Sequence, residues 1–482
     1  MKFIWLTVII STLSTCSSAE KLKKNVHSDI SNTDKPNVIF IFIDDMGFAD
    51  ISAFGNQKLK TPNIDRLAEE GLKFTNFYVN SPICSASRVA LKTGLYPQRS
   101  GIHSFLSTRK HNKSRQMPDF LSAEYFTYAK LLKSSGYVTA HYGKWHIGGG
   151  RDVNNAPLPQ SYGYDESLVS FEGLGDRILW SKTGNQTLSW QHGQGEILDL
   201  PKHKTTETYI DYAIRFIIKN KDKPFLLNLF PNDVHDGHNP SSLQLAKWKG
   251  QGRHEYDAKF FAVLDEMDNQ IGRLLDALGA LKLSDNTVVM LTSDNGPTDW
   301  KRYYDENIEP PGFTGPYRGR KWSLYEGGTR MPFIIRWPAQ IKPKTENNTS
   351  ILSAIDILPS LAGLLDLELP QNVSVDGKDM SSTFLGKKIS RNQPLFWEYG
   401  VKGSIKPGKA SHVSPPLAMR DGDWKLLMSV DATHVELYNL VEDKSEQHNL
   451  ANQHPKKVEE MKSQLLAWWQ DVAHNSKLPS KR

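Results

Sequence analysis

Beyond its first twenty or so residues the chain carries a single cysteine, Cys84, in the run Ser81-Pro82-Ile83-Cys84-Ser85-Ala86-Ser87-Arg88. Arg88 and the helix-like Val89-Ala90-Leu91-Lys92-Thr93 put this thiol at a helix start, where the dipole and free N–H groups favour an anion. A free cysteine with no other signal reads as a small buried hydrophobe. A second set of groups argues for more. Asp44-Asp45 and Asp294-Asn295 offer four oxygen donors from the ends of two apolar runs. Adjacent carboxylates repel unless a cation or proton lies between them. Hard oxygens without histidine or thiolate favour calcium over zinc, with magnesium behind. Asp-Asp-x-Gly alone reads as a turn; two such ends together read as a metal site.

Cations and imidazoles complete the set. Lys144 and His146 lie two apart in Gly-Lys-Trp-His, and an extended segment would point both to one side. A lysine meets an oxyanion as a point charge, and a histidine takes up a proton near neutral pH. His235 sits in Asp233-Val234-His235-Asp236-Gly237-His238-Asn239-Pro240, with His238 as the competing histidine. Lys321 falls in Arg318-Gly319-Arg320-Lys321-Trp322-Ser323-Leu324-Tyr325-Glu326-Gly327-Gly328-Thr329-Arg330-Met331-Pro332.

The elements that must position these groups read as alternating strands and helices. Asn37 to Ile43 is a continuous apolar run, as expected of a strand buried on both faces of a parallel sheet. It delivers Asp44 at its C-terminal end, the edge where open α/β sheets bind ligands. Tyr137 to Tyr142 delivers Lys144, Pro224 to Phe230 delivers His235, and Thr287 to Leu291 delivers Asp294. Thr61-Pro62-Asn63 opens a helix with a threonine cap and Gly71 closes it. Phe260, Leu264, Met267, Ile271, Leu274 and Leu278 recur at helical spacing and predict a core-facing helix. From about residue 385 short strands with turn signals (Phe396–Tyr399, Leu417–Arg420, Trp424–Met428, Val435–Tyr438) suggest a small antiparallel sheet. A last helix carries Val458, Met461, Leu465, Trp468 and Val472 on one side. The fold class is α/β: a large doubly wound, mostly parallel sheet flanked by helices, with a smaller C-terminal antiparallel sheet plus helix.

The chain has 482 residues, enough for two or three domains, and a formal net charge of +6 that mildly favours anionic partners. No arginine-rich block or nucleic-acid motif occurs, so nucleic acid is set aside. Lys2, the apolar Phe3–Ile10 and the small residues Ser11–Ala19 form an export signal whose apolar run is too short to span a bilayer. Cleavage after Ala19 would release a soluble protein, whereas Leu13-Ser14-Thr15-Cys16 resembles a lipoprotein box with a lipid anchor at Cys16. The expected division is a signal peptide over 1–19, a flexible leader over 20–35, a catalytic α/β domain over 36–384 and a subdomain over 385–482. No later segment is apolar enough to be transmembrane. The protein is expected in the periplasm, secreted or at the cell surface.

Cys-x-Ala-Ser-Arg followed by Leu91-x-Thr93-Gly94 resembles the signature of the type I sulfatases, in the alkaline-phosphatase-like superfamily. Ala86 stands where that family usually has proline, and Leu95 where arginine commonly follows the glycine. The segment from Gly319 to Pro332 is similar to the family's Gly-x-Lys…Glu-Gly-Gly-x-Arg-x-Pro pattern. The resemblance implies that a formylglycine-generating maturation enzyme oxidises Cys84, and that one hydroxyl of the aldehyde hydrate attacks sulfur. It implies one calcium ion held by Asp44, Asp45, Asp294, Asn295 and the modified Cys84. It further implies that Arg88 orients the hydrate, Lys144 and Lys321 bind sulfate, His146 handles the hydroxyl proton and His235 protonates the leaving oxygen. Glu326 and Arg330 would order their loop.

The expected substrate is a sulfated carbohydrate. Besides Lys144, His235 and Lys321, candidates for gripping it are Arg177, Trp180, Trp190 and His192 in an insertion-like stretch from Arg151 to Pro201. Asp233, His238, Arg318 and Arg320 lie near the catalytic segments and join them. The alternatives are a phosphodiester or phosphonate ester hydrolase of the same superfamily and a non-catalytic glycan-binding relative.

Overall fold

The apolar run Asn37–Ile43 forms a strand buried at every position, and its two faces feed two different cores. Val38, Phe40 and Phe42 enter one; Ile39, Ile41 and Ile43 enter the other. That alternation is what a sheet covered by helices on both sides requires. The computed structural model describes residues 35–182 and 186–474. The expected signal peptide, nearly all of the leader and Cys16 lie outside those residues.

Eleven strands build the large sheet: β1 (Asn37–Ile43), β2 (Leu72–Tyr78), β3 (Val138–Lys144), β4 (Glu166–Ser170), β5 (Arg177–Leu179), β6 (Ile197–Asp199), β7 (Phe225–Phe230), β8 (Thr287–Ser293), β9 (Arg330–Arg336), β10 (Thr345–Asn347) and β11 (Leu352–Ser353). Their order is β10-β2-β9-β8-β1-β7-β3-β4-β5-β6, with β11 also paired to β2. All neighbours are parallel except β9, which runs antiparallel to β2 and β8. The stretch from Arg151 to Pro201 is therefore not a mere insertion: it supplies the last three strands at one end of the sheet.

The register sets the site. Ile43 pairs with Ser293, so Asp44 and Asp294 emerge side by side from β1 and β8. β7 flanks β1 on the other side and β3 follows it, bringing His235 and Lys144 to the same edge. Gly143 is required there: a Cβ on it would lie 2.2 Å from the Phe230 carbonyl oxygen, and its φ is +130°. The helix Glu255–Ala280 buries Phe260, Leu264, Met267, Ile271, Leu274 and Leu278 as its spacing predicts. Each such side chain contributes about 1.5–3 kcal/mol by leaving water.

The C-terminal sheet contains β12 (Leu395–Glu398), β13 (Leu417–Asp421), β14 (Trp424–Met428) and β15 (Val435–Asn439), antiparallel in sequence order. The helix Pro455–His474 lays Met461, Leu465 and Val472 against it. This third core also takes in Ile83, Cys84, Ala86 and Ala90, so the small sheet packs on the helix that begins at Cys84. No helix among the described residues is long and apolar enough to cross a membrane.

Candidate functional site

Cys84 is the first residue of the helix Cys84–Thr93, which ends at Gly94 in the left-handed conformation (φ +69°). The residue is 1% exposed, and its Sγ donates to Asp45 Oδ1 at 3.7 Å. Burial pushes the thiol well above its ordinary value despite Lys144 and Lys321 nearby. Reactive thiols need the opposite shift, so an unmodified Cys84 is a poor nucleophile here.

Around it, charges of both signs are packed out of water. Lys144 Nζ donates to the two oxygens of Asp44 at 2.8 and 2.7 Å. Lys321 Nζ donates to those of Asp45 at 2.5 and 2.6 Å. Arg88 Nη2 donates to Asp294 Oδ2 at 2.6 Å and its Nη1 to the Lys144 carbonyl at 3.1 Å. Burial alone would raise Asp44, yet Lys144, His235, Arg88 and Lys321 hold it well below the usual carboxylate range. Asp45 is likewise lowered against burial, chiefly by Lys321. Burial and Asp44 push Asp294 up to about 7 against Arg88.

Three carboxylates this close suit a hard cation, and one more atom supports the fit. Asn295 Nδ2 donates to Asp45 Oδ1 at 2.7 Å and to the Gly296 carbonyl at 2.9 Å. Its Oδ1 is buried with no hydrogen-bond partner among the described residues. An oxygen in that state costs about 1–3 kcal/mol unless something binds it. A thiol and an imidazole border the same place, since Asp44, Asp45, Cys84 and His235 hold one ligand atom each within 4.8 Å of one another, so the set is not purely oxygen as the sequence suggests.

His146 and His235 reach the site by different routes. β3 runs to Lys144, and His146 has a φ of +52°, so the extended same-side argument fails; a turn brings the imidazole in. His146 Nε2 donates to the Leu106 carbonyl at 3.1 Å, which leaves Nδ1 buried, unprotonated and without a partner. Burial, then Lys144 and Arg88, push its pKa well down. His235 Nε2 lies 3.6 Å from Asp45 Oδ2, and burial lowers its pKa to about 4 despite Asp45 and Asp44.

Both imidazoles line a cavity of about 340 Å³ that opens at Cys84. Lys321, Phe105, Ser107, His111, Arg151, Phe171, Trp300, Trp322 and Ile405 also face it. Asp45, His146, Phe171 and Trp322 all have φ between +52° and +70°, a conformation costing on the order of 1–2 kcal/mol per residue and concentrated here. Sequence reasoning missed Arg151, Phe171 and the two tryptophans. Phe171 follows the C-terminal end of β4, the signal that found the other residues. Arg151 and Trp300 had no such mark.

Eight further candidates do not line the cavity: Arg177, Trp180, Trp190, His192, Asp233, His238, Arg318 and Arg320. His238 is turned into the core, bonding the Val234 carbonyl at 3.0 Å and packing on Phe260, so His235 is the histidine of this segment that faces the cavity. Arg177 is 1% exposed and its guanidinium is spent on the carbonyls of Gly175, Ser189, His192 and Gln194. Arg318 bonds the carbonyls of Ser411 and Glu446 and stacks 3.8 Å from the Tyr325 ring, joining the two sheets. Glu326 and Arg330 bond each other at 3.2 Å inside that junction, where Lys425 also donates to Glu326.

A family model described as Sulfatase matches residues 36–367. One described as N-sulphoglucosamine sulphohydrolase, C-terminal, matches residues 317–472. The N-acetylgalactosamine-6-O-sulfatase of Bacteroides thetaiotaomicron is 33% identical, over 95% of this chain and 96% of its own. A solved Bacteroides thetaiotaomicron structure, described by the metabolism of multiple glycosaminoglycans, superposes with a TM-score of 0.73 at 28% identity, covering 91% of this chain and all of its own. Ps i-CgsB in complex with k-i-k-neocarrahexaose superposes with a TM-score of 0.75 at 25% identity, covering 93% of this chain and 95% of its own.

Proposed function

The chain belongs to the sulfatase family and is a sulfuric ester hydrolase, and we propose that it is an exported enzyme that removes sulfate from a glycosaminoglycan-type carbohydrate with a formylglycine at position 84. The observation that carries the reading is the meeting at one sheet edge of Cys84, three buried carboxylates and two lysines. The relative that spans nearly the whole chain is named for a 6-sulfated N-acetylhexosamine, which puts that ester first among substrates.

In this reading Asp44, Asp45, Asp294 and Asn295 hold one calcium ion, and residue 84 is one of its ligands. When present, the aldehyde hydrate supplies a nucleophile that can release sulfate by breaking its own C–O bond, with the cation drawing charge from the oxygens. Lys144 and Lys321 offset negative charge on the sulfate oxygens. His146, neutral and with Nδ1 free, takes up a proton there. His235 on the cavity wall is placed to pass a proton to the departing sugar oxygen, and the negative charge of a bound sulfate would favour the protonated imidazole that this step needs. Arg88 fixes Asp294 and the end of β3. The apolar rings of Phe171, Trp300 and Trp322 receive the sugar and exclude water. Export through residues 1–19, with lipid attachment at Cys16 as the other route, and maturation by a formylglycine-generating enzyme belong to the same reading. So does the division at residue 384.

The test is sulfate release from a panel of sulfated saccharides by protein whose Cys84 peptide carries formylglycine by mass spectrometry. Release that is absent in a Cys84→Ala control supports the reading. Fully modified protein that cleaves phosphodiesters or phosphonate esters, and no sulfate ester, overturns it.

A further inference from the structure

One wall of the cavity carries a cation that the chemistry at Cys84 does not use. Arg151 lines the cavity with Ser107 and His111. Its Nε donates to Glu172 and its Nη1 to Ser107 Oγ at 3.0 Å, while Nη2 has no hydrogen-bond partner among the described residues. The side chain keeps 14% exposure. Behind this wall stands Arg115, 8% exposed and stacked 4.1 Å from the ring of Phe105, itself a cavity residue. Arg115 donates to the His111 carbonyl at 3.1 Å and to Ser104 Oγ at 3.4 Å, and its Nη2 is buried without a partner among the described residues. Two guanidinium groups therefore stand here, and among the described residues only that of Arg151 is paired with a carboxylate, Glu172. Asp152 acts on Glu172 through its charge and accepts from the Arg109 backbone N–H at 2.9 Å, but it does not line the cavity.

Arg151 is also held still. Its N–H donates to Ser189 Oγ at 2.6 Å, and its carbonyl accepts from His192 Nε2 at 2.7 Å. The carbonyls of Ser189 and His192 are in turn gripped by Arg177 Nη2 at 3.1 and 2.6 Å. A buried guanidinium satisfied only by carbonyls is a costly device; what it secures is the backbone at Arg151. The reacting sulfate is met by Lys144 and Lys321, so Arg151 faces the remainder of the substrate.

We propose that Ser107, His111 and Arg151 form a second anion subsite, which receives a carboxylate or a second sulfate on the sugar bearing the reacting ester or on its neighbour. Arg151 is its binding residue and Arg177 its positioning residue. The inference rests on the sulfatase reading for the orientation of the substrate. It assigns the substrate class: glycans with two anionic groups close together, over singly sulfated neutral ones. A guanidinium suits either anion because its planar fork pairs with two oxygens at once.

The test compares N-acetylgalactosamine 6-sulfate with the same sugar linked to a hexuronate and with a disulfated hexosamine. Turnover by formylglycine-bearing protein and equilibrium binding to Cys84→Ala protein are both measured, for the native side chain, R151M, R151K and R177M. The expected result is a preference for doubly anionic sugars that R151M reduces by about 10- to 100-fold, through KM, relative to the singly sulfated sugar. R151K restores part of it, R177M gives a smaller shift in the same direction, and added salt weakens the preference. The arm that responds names the anion. A binding ratio unmoved by R151M overturns the subsite. Binding that depends on Arg151 with no sulfate released from any sugar overturns the sulfatase reading and leaves the subsite standing.

Discussion

The Asn295 amide nitrogen lies 2.7 Å from Asp45 Oδ1, and this contact fixes which end of the amide stays free. Its oxygen is left buried and unpartnered beside two carboxylates that lysines already neutralise. A cation of hard character fits that oxygen better than any side chain present.

Calcium should therefore raise the thermal stability of the protein, by mass action on the folded state. Asn295→Ala should need at least about tenfold more calcium for the same shift, a loss of roughly 1.4 kcal/mol. Thermal unfolding across a calcium titration checks this. Equal responses in both proteins would remove Asn295 from the ligand set.

Arg88 is fully buried between Asp294, Asp44 and the Lys144 carbonyl. Arg88→Met should destabilise by about 3–5 kcal/mol, because it strands buried carboxylates without a counter-charge. Arg88→Lys should recover only part, since an ammonium cannot span both partners. Urea unfolding measures both; a loss under about 1 kcal/mol for Arg88→Met would contradict the account.

Cys84→Ser should release no sulfate, while its unfolding temperature stays close to that of the starting protein. A serine that stays an alcohol, as mass spectrometry of its peptide would verify, has one hydroxyl on its Cβ and so cannot break its own C–O bond to turn over. Wild-type rates from this variant would refute the mechanism.

The two histidines of one segment should separate cleanly. His235→Ala should lower kcat by about 10²–10⁴, as loss of a proton donor does. His238→Ala should instead act on stability, through the Val234 carbonyl and the Phe260 packing it removes. Steady-state kinetics alongside thermal melts tell them apart; the reverse pattern would reassign the roles.

Glu446 supplies a pH signature away from the site. It accepts from the Glu326 backbone at 2.7 Å and lies 3.0 Å from Lys425 Nζ. Burial pushes its pKa up, with Glu326 and against Lys425, to about 7. The fold thus holds this proton more tightly than the unfolded chain does. Its contribution is complete below the ordinary glutamate range and is lost as pH rises to and through about 7. Glu446→Gln should flatten the fall in unfolding free energy between pH 4.5 and 8 that this residue causes (about the window of the shift). An unchanged slope would exclude it.

Much of the site was legible because strand ends announce themselves. Apolar runs that stop at Asp44, Lys144 and Asp294 told both the sheet and its working edge, and Cys84 before a helix told the rest. What stayed hidden depends on side-chain direction and on distant loops. His235 and His238 differ in which way a short loop turns. Arg177 looked like a substrate grip because exposure cannot be read from a charge; its four carbonyl partners come from a fold-back that leaves no pattern. Thr61 precedes the helix Pro62–Glu69 as expected, yet its hydroxyl caps nothing: it bonds Ser52 and Asp65, a tertiary preference over a local one. Arg318 was misplaced because the neighbouring Lys321 is in the cavity, and a turn between them sends the arginine to the other sheet.

The covering of Cys84 sets a time limit. Trp322 donates its backbone N–H to the Pro82 carbonyl at 3.0 Å, and Trp397 Nε1 donates to the Val79 carbonyl at 2.7 Å. These two tryptophans come from the last third of the chain, and they close the core that holds the thiol at 1% exposure. On the reading proposed above, a maturation enzyme would have to reach Cys84 before the C-terminal sheet docks. On that reading the order of synthesis would open the interval and folding would end it, and a chain that folded unmodified would be well packed and inert.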